Sequence, residues 1–223
     1  MFPHQSAGAS LRQAAGGAPR LVQTPTYFEG PMENGTASVT IPASTAGSTL
    51  IIAYGKTSVA TTISNPSDNV GGSVGWLTAV NPLAVDIATW AVFYKPSAPA
   101  GVTQLSVTIA GAYGWQMTWG IEADSGVVSD YSSFFNSYKW SHNFAAAGGI
   151  TAVDGLHIGA TYTYSSGRTW TVGGGYTLVN APTNRVYMQY AESAITADRG
   201  GSPIPDTSGG SDSRCILFSV TPS

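Results

Sequence analysis

Trp115-Gln116-Met117-Thr118-Trp119-Gly120-Ile121-Glu122 alternates without a break, with Trp115, Met117, Trp119 and Ile121 on one side and Gln116, Thr118, Gly120 and Glu122 on the other. Period two is the side-chain period of a β-strand, and a helix would scatter these four large residues around its circumference. The stretch reads as a half-buried strand whose polar face meets water. The same alternation recurs on either side of it. Ala37, Val39 and Ile41 oppose Thr36, Ser38 and Thr40; Leu105, Val107 and Ile109 oppose Gln104, Ser106 and Thr108. Further strands are expected at 49–54, 87–94, 156–164, 184–192 and 214–220. Turn-forming runs separate them: Ala46-Gly47-Ser48, Asn65-Pro66-Ser67-Asp68-Asn69, residues 96–101, Gly148-Gly149, Gly173-Gly174-Gly175 and residues 200–210. No stretch carries a long amphipathic helix pattern. Many short strands, each with an apolar and a polar face, predict an all-β fold of two antiparallel sheets packed face to face.

Only 9% of the 223 residues are charged, against about 25% in an ordinary soluble domain. Ser, Thr, Gly, Ala and Asn fill the deficit, so the expected surface is polar but neutral. Hydroxyls and amides cost less to desolvate than charges, which favours a surface that neighbouring subunits cover. That points to a shell or fibre component over a freely diffusing enzyme. The net charge is -3 and the nine Lys and Arg are scattered, so no phosphate-neutralising patch for nucleic acid is expected. Cys215 is the only cysteine, which excludes an intrachain disulfide. The start, Met1-Phe2-Pro3-His4-Gln5, lacks a basic region followed by an apolar run, and no apolar run is long enough for a membrane-spanning helix. A cytoplasmic product is expected on that ground. Asn34-Gly35-Thr36 then reads as a turn and not as a glycosylation acceptor.

Residues 1–30 differ from the rest, being rich in Gly, Ala, Ser and Gln, broken by Pro3, Pro19 and Pro25, and without apolar periodicity. They read as an N-terminal arm, with one short helical turn over Ser10–Ala15 capped by Ser10 and stopped at Gly16-Gly17. Residues 31–223 form the sandwich domain.

The run Ala37-Ser38-Val39-Thr40-Ile41-Pro42, then Thr49-Leu50-Ile51-Ile52-Ala53, then Ile63-Ser64-Asn65-Pro66-Ser67-Asp68-Asn69 and Trp76-Leu77, resembles the opening of a jelly-roll domain. That domain recurs in tailed-phage structural proteins and some bacterial surface proteins, with the usual form SVTxPA, GNxLVVAV and VSDSxGNxW. The likeness continues through Trp90–Tyr94, Val102–Ile109, Glu122–Val127, Asp154–Ala160 and Gly174–Leu178, and so covers most of residues 36–221. Asn65-Pro66 departs from the usual approach to the turn, and Val70–Gly75 lengthens the loop before Trp76. The resemblance implies an antiparallel two-sheet jelly-roll sandwich, to which this chain adds its extended arm. It transfers no catalytic residue, because such a scaffold serves different assemblies.

Several residue groups carry chemistry-bearing side chains. Glu122 and Asp124 lie two apart on one strand, as a glycosidase pair would, but their face is the polar one, so solvated carboxylates are expected. His157 shares such a face with Gly159 and Thr161, and His4 and His142 have no metal-ligand spacing with it. No G-x-S-x-G elbow occurs, and Gly173-Gly174-Gly175 is followed by a strand, not by the helix that a phosphate cradle needs. Asp198, Asp206 and Asp212 lack calcium-loop spacing. Phe134, Tyr138, Trp140, His142 and Phe144 share one face of an extended stretch with Asn136. Phe134 and Phe144 are expected in the core, Trp140 and His142 at a subunit interface.

These readings converge on a non-enzymatic virion structural protein that uses no cofactor or metal, a capsid decoration or cement protein stabilising a phage head. Its partners would be the major capsid protein, other virion subunits and further copies of itself, with no direct nucleic acid and no membrane. The expected interface residues are Phe2, Leu11, Arg12, Arg20 and Leu21 in the arm, with Tyr138, Trp140 and His142. The alternatives are a tail or baseplate protein that binds a host glycan through loops near Gly71, Ser165 and Gly201, or a carbohydrate-binding module.

Overall fold

The computed structural model describes residues 17–56, 62–85, 88–136, 155–163, 169–171, 175–180, 186–192, 202–204 and 213–223. Among them are fifteen strands and no helix. In order they are β1 (Thr26–Met32), β2 (Gly35–Thr40), β3 (Thr49–Lys56), β4 (Thr62–Asp68), β5 (Leu77–Val85), β6 (Ala88–Lys95), β7 (Gln104–Ala110) and β8 (Gly114–Ala123). Then follow β9 (Val127–Asn136), β10 (Leu156–Thr163), β11 (Thr169–Thr171), β12 (Thr177–Asn180), β13 (Val186–Ala191), β14 (Ser202–Ile204) and β15 (Ser213–Thr221). Every strand pair is antiparallel. The all-β antiparallel reading holds, and the expected strands fall in place, 87–94 for instance as β6 and 214–220 within β15.

The number of layers differs from expectation. A central sheet, β1-β8-β3-β6-β5, is covered on one face by β2-β7-β4 and on the other by β12-β13-β10-β15-β9, with β11-β14 as a separate ribbon. Two cores result. Ile51, Trp90, Val92, Met117, Trp119 and Ile121 of the central sheet meet Leu156, Ile158, Met188, Ile216 and Phe218. On the opposite face Leu50, Ile52, Tyr54 and Phe93 meet Val39, Ile41, Leu105, Val107 and Ile109. The stack therefore has three sheets where two were expected. The physical reason lies in β3, every residue of which is buried. Leu50-Ile51-Ile52-Ala53-Tyr54 does not alternate, and a strand needs no alternation only where both its faces are dry.

Two glycines make room for large neighbours, one between layers and one within the central sheet. A Cβ on Gly120 would lie 2.6 Å from Ile41 Cγ2 and 3.0 Å from Val39 Cγ1, where β2 descends on β8. On the other face a Cβ on Gly55 would lie 2.8 Å from the Trp90 ring. Full burial of such side chains contributes about 1.5–3 kcal/mol each, so each glycine admits a neighbour worth more than its own lost side chain.

The domain also begins earlier than residue 31. β1 forms the edge of the central sheet, pairing with Gly114–Gly120 of β8, and Tyr27 packs on Trp119 with ring centroids 4.9 Å apart. Residues 26–30 thus belong to the sandwich, because their Tyr27 and Phe28 supply apolar surface that the Gly/Ser-rich composition of the segment masks. Glu33 and Asn34 make the tight turn expected at Asn34-Gly35, but it joins strands of different sheets, and Asn34 Oδ1 accepts from Gly111 N at 2.9 Å. The helical turn over Ser10–Ala15 lies outside the described residues.

Candidate functional site

The face of β8 expected to be wet is buried. Gln116, Thr118 and Glu122 are each 0% exposed; β2 stacks against β8, and residues 23 and 45 close over Glu122. Glu122 is consumed structurally: its Oε1 accepts from Thr45 N at 2.7 Å and its Oε2 from the Gln23 amide. Asp124, just beyond the strand and exposed, accepts from Arg20 N at 3.0 Å through Oδ1, while its own N–H donates to Arg20 O at 2.9 Å. Val22 N donates to Glu122 O, and Leu21 bridges to Ala123 and donates to Glu192 Oε1. The pair that resembled a glycosidase dyad is a latch holding residues 20–23 against the end of β8. Arg20 and Leu21 bind their own domain here. His157 likewise is not solvated but buried, on a strand whose neighbours Gln189 and Ser219 are buried with it.

A second cluster was legible only as a turn. Asp68 ends β4 with its side chain fully buried, and Oδ2 takes the Lys95 ammonium at 2.7 Å and the Trp76 indole N–H at 3.2 Å. Its Oδ1 accepts from Val70 N at 3.0 Å and from Gly71 N. Burial alone would raise the carboxyl's pKa, but the Lys95 bond and charge with the two backbone donors outweigh it and hold Asp68 below the usual range. Asp68, Trp76 and Lys95 thus form one clasp. It fixes the loop that shows Val70 and Val74 to solvent, the latter 77% exposed.

Between the central sheet and β2-β7-β4 lies a polar row. Tyr54 stands directly opposite Thr118, and Lys56 opposite Gln116 on β8 and Thr89 on β6, all five buried. Lys56 Nζ donates to Glu33 O at 2.9 Å. Burial lowers the Lys56 pKa, with Glu33 opposing, and burial raises that of Tyr54. No group of three or more His, Cys, Asp or Glu placed to hold a metal occurs among the described residues.

The third arrangement is an edge. In β2, Ile41 N bonds Thr103 O just past the strand, so by the antiparallel pattern Thr36, Ser38 and Thr40 point their backbone groups away from β7. Thr40 O accepts from Thr26 Oγ1 at 2.6 Å. The other edges of the three stacked sheets are guarded: β1 by Glu29 and Pro31, β4 by Pro66 and a register break, β5 by Pro82 and two breaks, β9 by Asp130 and a break, β12 by a break. β2 has no charge, proline or break. Beneath its open side lies Phe28 of β1, on the face that the three-stranded sheet is too narrow to cover, and it is 47% exposed.

Of the remaining expected residues, Phe2, Leu11, Arg12, Tyr138, Trp140 and His142 lie outside the described residues, as do His4, Phe144, Ser165, Asp198, Gly201, Asp206 and Asp212. The backbone of Phe134–Asn136 belongs to β9. Compared with protein-family models, curated proteins and solved structures, the chain matches none.

Proposed function

We propose that the chain is a non-enzymatic structural subunit of a tailed-phage particle, a head decoration or cement protein that fastens to its neighbours by strand addition. The observation that carries this reading is the β2 edge, with which no other described strand pairs, together with the half-exposed Phe28 of β1. An extended segment laid beside β2 would pair with Thr36 and Ser38, widen the outer sheet to four strands and cover Phe28. The expected occupant is residues 1–16 of an adjacent copy, which include Phe2, Leu11 and Arg12. The solvent face of the outer sheet suits burial in a lattice too, since Thr36, Ser38, Thr40, Gln104, Ser106 and Thr108 carry no charge.

The jelly-roll likeness is supported by the winding of β2 to β8: β2, β4 and β7 go to the outer sheet and β3, β5, β6 and β8 to the facing one. On this reading β9 to β15 are an added layer. A second reading, a tail or baseplate protein that recognises a host surface, is favoured by the Asp68 clasp and its exposed Val70 and Val74. Labelled protein incubated with intact phage and viewed by electron microscopy separates the two. Label at regular positions on heads is the expected outcome; label on tails supports the second reading, and label on neither overturns both.

A further inference from the structure

The polar row between the central sheet and its N-terminal cover is not satisfied by the protein. Tyr54 OH, Thr118 Oγ1 and both Gln116 amide atoms are buried without a hydrogen-bond partner, and all three residues are 0% exposed. They occupy two adjacent cross-strand rows of one face, Tyr54 against Thr118 and Lys56 against Gln116. Directly opposed side chains start about 5 Å apart at Cβ, so one small molecule between the rows can reach several of these atoms. Buried polar atoms left unpaired in a dry layer would each weaken the fold, whereas at the other end of the same layer the buried Glu122 and Lys95 beside Leu50 both have bonded partners.

We infer that Tyr54, Gln116 and Thr118 form an internal hydration site that takes ordered water as an integral part of the layer. The chemistry selects water over an ion. The unpaired set offers two hydroxyls and one amide, each able to donate and to accept, and the one nearby charge, Lys56, already donates to Glu33 O. A neutral molecule with two donors and two acceptors matches that set, and buried water normally makes about three such bonds. Thr118→Val and Tyr54→Phe keep the shape of the side chains and remove one polar atom each.

Water relaxation dispersion of the full chain and of each variant, run with thermal melts, tests the site. The parent should show long-lived internal water, Thr118→Val should lose part of that signal, and its melting temperature should fall. Combining it with Tyr54→Phe should lower the melting temperature by less than the two single falls together, because both act on one water cluster. A parent without long-lived water overturns the inference. So does a dispersion signal that Thr118→Val leaves unchanged, or a variant that melts higher than the parent, as removal of a dry orphan hydroxyl would cause. Should a variant fail to fold, ordered density within hydrogen-bond reach of Gln116 and Thr118 in a high-resolution crystal structure of the parent decides the matter alone.

Discussion

Asp68 and Glu122 are both buried carboxylates, yet their partners make them respond differently to substitution. Asp68 faces a formal charge, so Asp68→Ala strands the Lys95 ammonium in the interior and should cost about 3–5 kcal/mol, a fall of roughly 10 °C in melting temperature. Because its folded pKa is depressed, its contribution is fully present above the unfolded value near 3.9 and is lost as pH falls through the lower folded value. Melting curves of the parent and Asp68→Asn should therefore stay apart down to about pH 4 and converge below it; a gap that is constant with pH would remove the ion pair from the explanation. Glu122 accepts one neutral donor on each oxygen. Glu122→Gln turns one acceptor into a donor that faces Thr45 N or the Gln23 amide, costing ~1–3 kcal/mol. Asp124→Asn keeps an oxygen for Arg20 N on an exposed residue and should melt within a degree or two of the parent. Alternation alone placed both acids in water, and nothing near Glu122 in the sequence announces Gln23 and Thr45, which lie 99 and 77 residues away. Asp68 was more legible. The turn run Asn65–Asn69 contains it, but nothing in that run announces its bonds to Trp76 and Lys95.

At the level of elements, period two located β2, β7 and β8 well because each alternates large apolar residues with polar or small ones. It misjudged the second face of β8, since Gln116 and Thr118 look the same whether they meet water or another sheet. The missing signal was in the neighbours: Leu50-Ile51-Ile52-Ala53-Tyr54 in β3 and Trp90-Ala91-Val92-Phe93-Tyr94 in β6 are apolar on both sides. A sheet whose inner strands are dry on both faces must be a middle layer. β1 escaped for the opposite reason: the preceding Pro25 and its own Gly30 and Pro31 hide a strand that pairs along all seven residues. Deleting residues 1–32 should consequently do more than free an arm. It strips the edge from β8, uncovers the Trp119 ring and leaves Glu122 without Gln23, so the truncated chain should lose cooperative melting or melt ~10 °C lower. Circular dichroism with heating checks this, and an unchanged melt would return β1 to the arm.

At the scale of the whole molecule, the three-layer stack leaves β2 as the one unguarded edge among the described residues, and the test of assembly belongs there. Ser38 points its N–H away from β7, so Ser38→Pro removes no ladder bond within the domain while it eliminates a donor that an added strand would use. Proline at an edge position is also a common guard of native sheets, and Pro31, Pro66 and Pro82 already occupy the guarded edges of this chain. The variant should melt close to the parent. A synthetic peptide of residues 2–16, titrated into each protein, should bind the parent with a change in Phe28-linked chemical shifts and lose at least tenfold in affinity for Ser38→Pro, about 1.4 kcal/mol. Phe28→Ala tests the other half of the site, since it removes the apolar floor without touching the edge and should weaken the same peptide. If Ser38→Pro and the parent bind the peptide equally, or neither binds it, strand addition at β2 is refuted, whichever part of the particle the protein occupies.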